Sequence, residues 1–121
     1  MGALLWYEPV RQVIHNNSTV SAATGTDLVL GGKYSAVTVQ VVSTADPKVN
    51  FKGSIDGQNF ATLRGINQAT GVTKTASTVA GIFIVPVAGI SIFRAQRSTG
   101  AVVAATVIAV ATAAPIVQLS I

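Results

Sequence analysis

Val37, Val39 and Val41 fall on one side of the run Ala36–Val42, with Thr38 and Gln40 on the other. A period of two is the mark of a strand with one buried face, and a helix cannot satisfy it. The same period returns in Val49–Ile55, which predicts Val49, Phe51 and Ile55 inward and Asn50, Lys52 and Ser54 outward. It returns again in Ile90–Arg97, where Ile92, Arg94 and Gln96 oppose Ser91, Phe93 and Ala95. Ile82–Val87 is nearly all apolar, and Pro86 can donate no ladder bond there. Lys74–Val79 is rich in Thr and Ser and reads as an edge strand, while Thr19–Ala23 and Leu28–Leu30 are weaker candidates.

The uncharged run at 101–117 is long, but it contains Thr106, Thr112 and Pro115 and many β-branched residues. A spanning helix needs ~20 strongly apolar residues, so a buried strand over Val102–Thr112 is the better reading. Ile116–Ile121 forms either a last strand or a C-terminal tail. Roughly seven to nine short strands with turn residues between them read as all-β: a single antiparallel β-sandwich, jelly-roll or immunoglobulin-like.

Residues 1–18 have neither period. They hold the only Trp (Trp6), the only His (His15), Tyr7 and Pro9. They are expected to form an irregular N-terminal arm, with the sandwich over 19–121. Glu8-Pro9 interrupts the apolar start and no basic residue precedes it, so no secretory leader is expected.

The chain has 121 residues, enough for one domain, and 50% are apolar, enough for a core. Charged residues are only 10%, against a usual share of about a quarter. A surface so poor in charge suits a subunit that lies packed in an assembly. The net charge of +4 is spread along the chain without a basic run. Nucleic acid is therefore not an expected partner, and neither is a membrane.

Chemistry has little to work with. There is no Cys, which removes thiolate metal sites and a Cys nucleophile. The four acids, Glu8, Asp27, Asp46 and Asp56, show no paired spacing. His15 stands beside Asn16 and Asn17 with no G-x-S-x-G elbow, and reads as an exposed or interfacial histidine. No enzyme activity, metal or cofactor is expected. Asp56-Gly57 between two β-type runs is a hairpin signal, with Phe60–Arg64 as the return strand, so its expected role is structural. A carbohydrate- or receptor-binding module is the rival from another class. Phe51, Phe60, Phe83 and Phe93 fit core positions, leaving only Trp6, Tyr7 and Tyr34 as sugar platforms.

Three stretches, KVNFKGSIDGQNFATL (48–63), GIFIVPVAGISIFRAQ (81–96) and AVVAATVIAVAT (101–112), together resemble a β-sandwich module of tailed-phage virion proteins. The matching features are Gly53-Ser54, Asp56-Gly57, Phe60, Val85–Gly89 and Arg94; Phe60 stands where a Trp is common. The resemblance spans 36–112 and implies a structural virion protein, foremost a capsid decoration (cement) protein on the outer capsid surface. Neck, tail or baseplate is the alternative address. It implies major capsid protein or other virion proteins as partners, a homo-oligomer (trimer or dimer), synthesis in the host cytoplasm and residence in the virion. The arm would reach a neighbour through Leu4, Leu5, Trp6, Tyr7, Val10 and Arg11. Arg94 would either pair with an acid such as Asp56 or, the favoured expectation, face solvent.

Overall fold

The computed structural model describes residues 2–5, 8–113 and 116–119, of which 2–5 and 116–119 as backbone only. In chain order the strands are β1 (Gly2–Leu5), β2 (Val10–Ser18), β3 (Leu28–Val29), β4 (Ala36–Ser43), β5 (Val49–Ser54), β6 (Ala61–Thr62) and β7 (Gly65–Asn67). They continue as β8 (Thr73–Lys74), β9 (Ala76–Ser77), β10 (Gly81–Pro86), β11 (Ile92–Arg97), β12 (Ala105–Thr112) and β13 (Ile116–Leu119). No helix occurs among the described residues.

Two antiparallel sheets pack face to face as a β-sandwich. The larger runs β2-β12-β4-β10-β7-β8. The smaller runs β3-β11-β5-β6, with β9 also on β5. Val37, Val39, Val41, Phe83 and Val85 of the large sheet meet Val49, Phe51, Phe93 and Ala95 of the small one, all at most 2% exposed. Phe51 and Phe83 form the centre, with ring centroids 5.4 Å apart and planes tilted by 52°. Gly65 lets them sit there: a Cβ on it would come within 2.9 Å of the Phe51 ring. Pro86 is tolerated because β7 pairs β10 only at Phe83 and Ile84.

Several expectations change. Val10–Ser18 is not arm but the edge strand of the large sheet, so the sandwich begins inside the segment expected to be separate. Its period of two is hidden by two bulges: β2 carries one extra residue between the pairs Ser18–Ala105 and His15–Val107, and another before Val13–Ile108. Ile14 and His15 are thereby both buried in succession. Thr19–Ala23 forms no strand. β5 stops at Ser54, which is buried, whereas Ile55 lies in the turn and is 74% exposed, reversing the expected assignment. Phe60 is only half-buried, the return strand is only Ala61–Thr62, and Tyr34 is buried with its hydroxyl donating to the Glu8 carbonyl.

Residues 2–5 and 116–119 pair as β1 and β13, so the C-terminal segment is a strand at least over Ile116–Leu119. From the pair Val10–Ala111, five residues along each strand lead to Leu5–Ile116. The terminal ribbon therefore keeps the register of the β2–β12 ladder.

Candidate interaction surfaces

The Asp56 turn is built by its own side chains. Oδ1 of Asp56 accepts from the Ser54 hydroxyl at 2.9 Å and from the amides of Gln58 and Asn59 at 2.8 Å each. Oδ2 accepts from the Asn59 side-chain amide at 2.7 Å. The Gly57 amide donates to Ser54 Oγ at 2.8 Å, and Gly57 takes a φ of 80°, which suits a residue without Cβ. The amides of Asn59 and Gln58 are the main reason that the Asp56 carboxyl is held well below the usual carboxylate range. A carboxylate that is ionised at all working pH and saturated with donors is a poor proton acceptor. Its chemistry is to hold the loop.

Arg94 does not face open solvent, nor does it pair with Asp56. It grips Asp27 with two bonds, Nε–Oδ1 at 2.8 Å and Nη2–Oδ2 at 3.0 Å. Its guanidinium lies 3.7 Å from the centre of the Phe60 ring. Asp27 ends the loop before β3, so the pair joins that loop to β11, and Phe60 joins them to the Asp56 loop. Phe60 thus lies outside the core with its ring against this cation.

Two buried polar residues complete the set. His15, which reads as exposed or interfacial, is instead buried within the sandwich at 4% exposure. Its Nε2–H donates to the Ala95 carbonyl at 2.7 Å, which fixes the neutral tautomer. Burial, foremost, and the charge of Arg97 lower its pKa, against the opposing pull of the Ala95 bond. Arg97 is 1% exposed and donates to the carbonyls of Pro47, Ser18 and Val103 at 2.7, 2.8 and 2.6 Å. It clasps three chain segments at the end of the sandwich remote from the termini. Sequence reasoning passed over it, although Arg97 shares its side of the strand with Phe93 and Ala95. Among the described residues no group of three or more His, Cys, Asp or Glu could hold a metal ion.

Of the residues expected to bind a partner, Val10 and Arg11 are exposed on β2, opposite Ala111 and Val110. Leu4 and Leu5 lie on β1, in register with Val117 and Ile116. Trp6 and Tyr7 lie outside the described residues. A shallow cleft of about 280 Å³ opens beside the Asp56 turn, lined by Ile55, Ala61, Leu63 and Ile90 with Asp56 and Asn59.

No protein-family model and no curated protein matches the chain in sequence. Solved structures match in shape. The SPBc2 prophage-derived protein YomS superposes with a TM-score of 0.73 at 16% identity, over 88% of this chain and 94% of YomS. The fold is one that prophage-derived proteins use. The PBSX exported protein XepA superposes with a TM-score of 0.74 at 21% identity, over 92% of this chain. That match spans only 38% of XepA, so the chain corresponds to one part of the larger protein.

Proposed function

We propose that this chain is a structural protein of a tailed-phage particle, a decoration protein that binds the outer surface of the capsid and stabilises it. The observation that carries the reading is the likeness to YomS along nearly the whole of both chains. The build of the molecule supports it. The polar residues that sequence reasoning could have offered to catalysis are spent on the frame: Asp56 on a turn, Asp27 on Arg94, His15 on a backbone carbonyl.

Attachment would run through the terminal ribbon. Its sequences, GALL against IVQL, are uncharged. An isolated two-stranded ribbon is marginal in water, so a partner that packs on it would gain contact at little cost in desolvated charge. Binding to the assembled capsid alone would then stabilise the particle by mass action.

Co-sedimentation of the purified chain with intact capsids, and separately with tail fractions, tests the assignment. Saturable binding to capsids at a fixed ratio to the shell subunit is expected. Binding to tails alone would move the chain to the neck, tail or baseplate, and binding to neither would overturn the structural reading.

A further inference from the structure

The large sheet is apolar on both sides. Its inward residues make the core, yet its outward residues are nearly as apolar. Across the strands run two rows fixed by register: Ile66, Ile84, Thr38 and Val110, then Ile82, Gln40, Ile108 and Val13. Val42 and Thr106 extend them on the neighbouring pair. Ile82 and Val42 are 43% and 53% exposed. Among the outward positions of these strands the single charge is Arg11, on the edge strand. An ordinary one-sided sheet would carry Lys, Glu and Arg there, and strands apolar on both faces are those of sheets covered on both faces.

We infer that a second copy of this chain covers that face, sheet against sheet, in an isologous pair. Two features favour a copy of the same chain. Apart from Gln40 the rows offer branched aliphatics and threonines, and their single charge, Arg11, lies at the edge, so two such faces stack without burying an ion pair. It has the composition of half a core, as the interfaces of permanent homodimers do. Four long strands about 4.8 Å apart and about 25 Å long project about 500 Å², which falls short of the about 600 Å² per partner at the lower end for stable complexes until side-chain relief is added.

Growth of the sheet at an edge is the competing geometry; the β8 edge offers only two residues, and β2 is built against it. Two bulges and Asn17 at a φ of 51° break the regular ladder along that edge. Stacking, with side chains interdigitating between aligned sheets about 10 Å apart, is the arrangement left open.

This association needs no phage particle and stands apart from the function proposed above. Sedimentation equilibrium of the purified full chain at micromolar concentration tests it. The wild type is expected to be a dimer, with Ile82→Glu raising the dissociation constant about a hundredfold or more and leaving the circular dichroism spectrum unchanged. Ile108→Thr, which keeps a β-branched side chain, gives the same readout should a charge disturb folding. Ile55→Glu, on the exposed turn of the other sheet, is expected to leave the dimer intact. A monomeric wild type overturns the inference, as do variants that dimerise with wild-type affinity. A monomer whose capsid binding is lost in Ile82→Glu would assign the face to another virion protein, and that too overturns self-association.

Discussion

A guanidinium shut away from water must find acceptors for its N–H groups, and Arg97 finds three backbone carbonyls. Arg97→Met keeps much of the volume but removes the three bonds to those carbonyls, so a loss of about 2–4 kcal/mol in urea unfolding is expected. His15 adds a pH dependence. Its folded pKa lies below its unfolded value of about 6.5, so the unfolded chain binds the proton more readily. Stability should hold at neutral pH and fall as pH drops below about 6.5, and His15→Gln should flatten that slope in thermal melts between neutrality and pH 5. Asp56 is also depressed, so its contribution is present above the unfolded value of about 4 and fades only below it. The two windows are separable in one pH series. Of these residues, Asp56 was legible because Asp-Gly names its own turn. Arg97 was half legible from its parity with Phe93 and Ala95. Arg94's partner was not, since Asp27 is distant in sequence and reaches it only through the β3–β11 pairing.

The long strands without bulges were legible from their period, and of the short ones β3, β6 and β9 fall within expected strands without a period of their own. β4 as far as Val42, and β11 throughout, obey a period of two, because each has one face in the core and one outside. β3, β6, β8 and β9 have two residues each, too few to carry any period, and only their tertiary neighbours make them strands. β2 is long but bulged, so the buried pair Ile14 and His15 looks aperiodic and the segment reads as an arm. Packing between elements sets its own limits. Gly65 lies where a methyl group would meet Phe51 at 2.9 Å and Val85 at 3.2 Å. Gly65→Ala is expected to cost about 1–3 kcal/mol by overpacking, measured as a lower urea midpoint with an unchanged slope.

At the scale of the molecule, composition and architecture describe the same thing. Only 10% of the residues are charged, and the outward face of the large sheet shows where charge is missing. The cysteine-free chain holds itself together by a shared apolar core, an internal Arg clasp and an Arg–Asp–Phe lock, and the outward rows of its large sheet carry charge only at Arg11 on the edge strand. Such a molecule is suited to being packed against. Which partner it packs against was not written in the strand periods, because the residues that would touch a partner obey the same apolar grammar as the core. Immunogold electron microscopy of intact particles, with an antibody raised against this chain, tests the central claim most directly. The account predicts gold distributed over the capsid surface; particles without label on any part would contradict it.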